Sequence, residues 1–68
     1  MIKIDARGIS CPQPVLMTKK GLENHKEGII VLVDNNTAKH NVERFMKNAG
    51  YNVSIEENNE EFALKATK

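Results

Sequence analysis

The chain has 68 residues, with ten basic against nine acidic side chains and a net charge of +1. A chain this short buries only about 60% of the surface its unfolded form exposes, so a single domain spanning residues 1–68 with a thin core is expected, and an enclosed catalytic cavity is not. The balanced charge argues against a strong electrostatic field for nucleic acid, and the one cysteine, Cys11, excludes an internal disulfide and a cysteine-based zinc site.

Met1-Ile2-Lys3-Ile4-Asp5 alternates with period two and predicts a short strand with Ile2 and Ile4 on one face. Ala6 to Ser10 is a loop marked by Gly8. A helix should start at Pro12, because proline at the first helical position loses an N–H that has no intrahelical partner there. Pro14 still lies inside the first turn and breaks no helical bond. Val15, Thr18 and Leu22 follow at helical spacing, the helix should stop near Asn24 or His25, and Gly28 marks the turn. Gly28-Ile29-Ile30-Val31-Leu32-Val33-Asp34 is a β-branched run that reads as a central strand. Asn35-Asn36-Thr37 supplies N-cap candidates for a second helix. Ala38, Val42, Phe45, Met46 and Ala49 form its apolar stripe, and Gly50 serves as a left-handed cap. Tyr51, Val53 and Ile55 alternate with polar residues in a third strand. Asn58-Asn59 reads as a tight turn, since asparagine tolerates positive φ, and Phe62, Leu64 and Ala66 give a fourth strand.

The order is βαβαββ. Right-handed crossovers with both helices on one face make successive parallel strands step in one direction across the sheet. The closing hairpin can then place strand four between strands two and three. The expected fold is an α/β (α+β) two-layer sandwich whose four-stranded mixed sheet has the order 1-2-4-3. Alternate residues of the Ile29–Val33 run would face the uncovered side, either as ordinary exposed apolar surface or as a weak partner or dimer surface.

Cys11 precedes a proline, and a residue in that position is pushed away from helical dihedrals, so it is expected at the N-cap. Pro12 and Pro14 remove two donors, leaving the N–H groups of Gln13 and Val15 nearest the thiol. Those donors and the positive helix end favour a thiolate. A dipole contribution of ~0.3–1 kcal/mol, set against ~1.4 kcal/mol per pKa unit, would raise the thiolate population several-fold without a general base. Arg7, in the same loop, either adds positive charge or is a solvated loop arginine. No His or Asp adjoins Cys11 to build a hydrolytic triad, and no resolving cysteine exists for intramolecular exchange. Cys11 is then either a small, buried and inert side chain or a nucleophile that accepts or passes on a group while another protein does the activation. His25 and His40 lack metal-ligand spacing, and no metal or cofactor is expected. Glu56, Glu57, Glu60 and Glu61, and the pair Lys19-Lys20, read as solvated charge. No signal segment and no apolar run near the roughly 20 residues that span a bilayer is present. A cytoplasmic location, where a single thiol stays reduced, is the expectation.

Asp5-Ala6-Arg7-Gly8-Ile9-Ser10-Cys11-Pro12-Gln13-Pro14, read as D-x-x-G-x-x-C-P-x-P, resembles the signature of the TusA/SirA/YedF family of sulfur carriers. The resemblance covers essentially the whole chain. It implies a βαβαββ two-layer sandwich and a persulfide sulfur on Cys11, loaded by a cysteine desulfurase and passed to a downstream acceptor protein. Asp34-Asn35-Asn36, Ala38, Asn41-Val42 and Arg44-Phe45 look more like the YedF branch, which is associated with selenium metabolism and often carries a further C-terminal domain. The chain would be a stand-alone member or an N-terminal domain, with selenium as the alternative cargo; a nucleic-acid-binding regulatory module is a third reading. Within that resemblance Cys11 is the acceptor thiol, Pro12 and Pro14 fix the helix start, and Gly8 turns the loop. Asp5 either anchors the loop through backbone N–H groups or tunes Cys11. With Val15, Thr18 and Leu22 inward, Met17 falls roughly 200° around the helix at about 100° per residue. It is then either a partner-docking contact or an incidental exposed side chain. A monomer without membrane association or direct nucleic-acid binding is expected.

Overall fold

A sheet of four strands carries both helices on one face, and the computed structural model describes residues 2–9 and 13–68. Cys11 and Pro12, named above as site residues, lie outside the described residues, as do Met1 and Ser10. The elements are β1 (Lys3–Asp5), α1 (Gln13–Asn24), β2 (Gly28–Val33), α2 (Asn36–Asn48), β3 (Asn52–Asn58) and β4 (Glu61–Thr67). The sheet order is β1-β2-β4-β3, with β2 parallel to β1 and β4 antiparallel to both of its neighbours. This is the topology expected from crossover handedness.

The β-branched run of β2 sits in the middle because both of its faces can be shielded. Ile29, Val31 and Val33 are fully buried beneath the helices, while Ile30 and Leu32 are half-buried on the open side. Phe62, Leu64 and Ala66 of β4 lie alongside them, opposite Val33, Val31 and Ile29 in the register. Leu22 of α1 and Ala38, Val42 and Met46 of α2 close this layer from above. Each fully buried aliphatic side chain of this kind stabilises by about 1.5–3 kcal/mol.

Helix α2 begins and ends by local chemistry. The Asn35 side chain accepts from the Ala38 N–H at 2.7 Å. At the other end Gly50, at φ 90°, donates to the Lys47 carbonyl, and Tyr51 donates to the Met46 carbonyl, the paired bonds of a Schellman cap. Ala49 is exposed rather than part of the buried stripe, because it serves as the C-cap. Tyr51 then turns inward, and its hydroxyl donates to the Lys26 carbonyl at 2.9 Å, tying the end of α2 to the α1–β2 loop.

The β3–β4 turn falls one residue later than the sequence pattern predicts. Asn58 pairs with Glu61 as a strand residue, and the two turn residues are Asn59 (φ 53°) and Glu60 (φ 67°). Two successive positive φ values match the twist of the flanking strands. The register that buries Phe62, Leu64 and Ala66 takes precedence over the preference of Asn58 for the turn.

Candidate functional site

The site is framed by the two ends of the β1–α1 connection. At its start the Ala6 N–H donates to the Leu32 carbonyl at 2.8 Å, carrying the β1–β2 pairing one residue past the strand, and Ala6 itself is buried. Arg7 folds back on Asp5. Its backbone N–H and Nε both donate to Asp5 Oδ1, at 3.1 and 2.9 Å, and Nη2 donates to Oδ2 at 2.9 Å. The remaining arm, Nη1, reaches Glu61 Oε1 at 3.1 Å, at the start of β4. Since β2 lies between β1 and β4, the guanidinium spans the end of the central strand.

This geometry settles where the charge of Arg7 goes: two carboxylates compensate it. The side-chain and backbone hydrogen bonds from Arg7 hold the Asp5 carboxyl at about 2 against an ordinary 3.8. The same bonds to Asp5, then to Glu61, push the arginine pKa further up. Asp5 thus accepts a backbone N–H, as a loop anchor would, and both groups stay ionised at any physiological pH.

Gly8 follows at φ 73°, in the left-handed region that favours glycine. Its N–H donates to Asp34 Oδ2 at 2.8 Å. Asp34 stands just beyond β2 and immediately before the α2 cap, Asn35. At the far end of the connection Gln13 opens α1 as an exposed residue, whereas Pro14 is buried. The Pro14 carbonyl accepts from the Thr18 hydroxyl at 2.8 Å, which satisfies the only buried polar side chain among the described residues.

Met17 is not outward-facing. It is half-buried and packs on the core, and it lines an apolar groove with Ile2, Ile4, Lys20 and Gly21. The large apolar side chain that faces solvent on this turn is Leu16, 52% exposed. The cause is Gly21, one turn further on. A Cβ there would collide with the Ile4 side chain and lie 3.0 Å from Ile29 Cδ1. The missing side chain lets α1 settle against β1 and β2, and that close approach brings Met17, at i−4, onto the β1 flank.

Two residues of the frame escape sequence reasoning. Asp34 and Glu61 are 26 and 54 residues from the groups they bind, and no local periodicity reports on such pairs. Asp34 shows as the polar end of an apolar run and in the likeness to the YedF branch, with no pairing attached, and Glu61 as one member of an acidic stretch. Beside Asp34 a shallow depression is lined by Asn35, Asn36, Glu57, Glu60 and Phe62, giving this side of the frame an acidic rim. Among the described residues no group of His, Cys, Asp or Glu could hold a metal ion. Among them, too, no helix is long and apolar enough to cross a membrane.

Residues 2–68 match the family model described as Sulfurtransferase TusA. A candidate sulfur carrier protein of Methanocaldococcus jannaschii is 45% identical over 62 residues, which cover 88% of this chain and 83% of that one. Among solved structures, the crystal structure of a SirA-like protein from Desulfitobacterium hafniense aligns with a TM-score of 0.87 at 34% identity, covering 98% of this chain and 96% of that one.

Proposed function

The chain belongs to the sulfurtransferase TusA family of sulfur carriers, and from that premise we propose that it relays a persulfide sulfur on Cys11 from a cysteine desulfurase to an acceptor protein. The observation that carries this reading is the family match over residues 2–68, which includes the Cys11-Pro12-Gln13-Pro14 motif.

The steps balance without an added oxidant or reductant. The Cys11 thiolate attacks the outer sulfur of the desulfurase persulfide. A new S–S bond forms at Cys11, the donor's S–S bond breaks, and the donor cysteine leaves as a thiolate. An acceptor nucleophile then attacks the outer sulfur on Cys11 and releases the Cys11 thiolate. Both steps need a thiolate that is accessible and a good leaving group, and neither needs a general base. Cys11 stands two residues before Gln13, the first residue of α1, where the free N–H groups of a helix start favour negative charge. A reducing compartment such as the cytoplasm suits this chemistry.

Incubation with a cysteine desulfurase and cysteine, followed by intact mass measurement, tests the proposal. The wild-type chain is expected to gain one sulfur and Cys11→Ser none. A wild-type chain that gains no sulfur from several desulfurases overturns it. Selenium is the second reading, favoured by the likeness of residues 34–45 to the YedF branch. The same measurement with a selenium donor in competition with cysteine decides which element Cys11 takes up.

A further inference from the structure

We infer that Asp34 is a positioning residue for the Cys11 loop, acting through its hydrogen bond from the Gly8 N–H; the inference rests on Cys11 being the sulfur-carrying residue. Gly8 lies three residues before Cys11 in the chain. Packing does not hold its turn, because a Cβ on Gly8 would meet nothing within 4 Å. The 2.8 Å bond to Asp34 Oδ2 does. Asp34 is itself rigidly placed, between the fully buried Val33 and the α2 cap Asn35. It is not needed as that cap, since Asn35 makes the bond to Ala38. Its carboxylate is therefore left to the Gly8 amide and to a long contact from Asn35 Nδ2 at 3.4 Å.

Two effects of Asp34 on the Cys11 thiol have opposite signs. As a negative charge, alongside Glu57 and Glu60 on the same rim and against Arg7 on the loop, it disfavours the thiolate. As an acceptor it fixes the turn at Gly8, three residues before Cys11 in sequence, and a fixed approach to the start of α1 favours the thiolate. Removing only the charge lowers the thiol midpoint. Removing the acceptor raises it, and the positioning role requires this second effect to dominate.

The test is the alkylation rate of Cys11 against pH in the full chain, without any desulfurase, for wild type, Asp34→Ala and Asp34→Asn, with thermal unfolding of each in parallel. In Asp34→Ala the midpoint is expected to rise by about half a pH unit, a roughly threefold loss of thiolate near neutrality. Asp34→Asn, which keeps an acceptor oxygen and loses the charge, is expected to match wild type or fall slightly below it. An alanine profile that superposes on wild type or shifts downward overturns the inference. So does an asparagine variant that rises as far as alanine. If Asp34→Ala melts below the assay temperature, Asp34→Gln, whose oxygen is displaced by one methylene, replaces it with the same expected rise. A wild-type chain that takes up no sulfur refutes the carrier reading and leaves this profile as a separate result.

Discussion

The two helices start in contrasting ways. Helix α2 follows its strand after only Asp34 and Asn35, and one side chain three residues away satisfies its first turn. Helix α1 follows a connection of seven residues that contains one proline, with a second inside its first turn. The described part of that connection is held by groups from far along the chain: Leu32, Asp34 and Glu61. A local cap occupies its own helix terminus. The remotely braced connection runs in sequence into the one thiol, two residues before the first residue of α1. The contrast teaches that one helix start is secured by its own neighbours and the approach to the other by residues far along the chain.

Three experiments break or sharpen that contrast. The largest effect is expected from truncating the core beneath α2. Met46 is fully buried, and Met46→Ala should destabilise by about 2–5 kcal/mol in denaturant unfolding. Wherever the variant is still folded, its Cys11 alkylation profile should match wild type; a shifted profile would show that the two starts are coupled through the core. Asn35→Ala removes the cap, with the long Nδ2 contact to Asp34, and should cost about 1 kcal/mol, read from the same unfolding curves. A loss well below half of that would show that the local cap is not what secures α2.

The smallest effect concerns the brace. Asp5 is held at about 2 against an ordinary 3.8. Its folded-state pKa is depressed, so its contribution to stability is present above its unfolded value, near pH 4, and is lost as pH falls through about 2. Both partners are well exposed, so solvent screening keeps this contribution small. In Arg7→Gln the unfolding midpoint should fall less steeply between pH 4 and pH 2 than in wild type, with curves that converge at the acid end. Parallel curves over that window would show that Arg7 does not set the Asp5 ionisation.

The architecture was legible because it follows from local pattern. Ile29–Val33 has no polar interruption, Tyr51 and Val53 alternate, and Ala38, Val42 and Met46 repeat at helical spacing; crossover handedness then leaves little choice of strand order. The readings that needed correction depended on tertiary geometry. Helical angle alone turns Met17 outward, because it contains no information about how closely Gly21 lets the helix approach the sheet. The turn at Asn59-Glu60 was displaced by the register of β4, a constraint set by strands other than its own. Asp5, Arg7 and Gly8 could be singled out from their motif. Their pairing with Asp34 and Glu61 could not, because hydrogen bonding across 26 or 54 residues leaves no trace in spacing.

Gly21 has a consequence at the other end of its helix. It lies eight residues beyond Gln13, a distance of about 12 Å along the axis at 1.5 Å per residue. The close approach it permits works as the fulcrum of a lever whose long arm ends at Gln13. A side chain wedged in at position 21 would pivot the helix and swing that arm through a larger displacement than the wedge itself. The placement of the Gln13 end of α1 is thus set in part by an absent side chain two turns away.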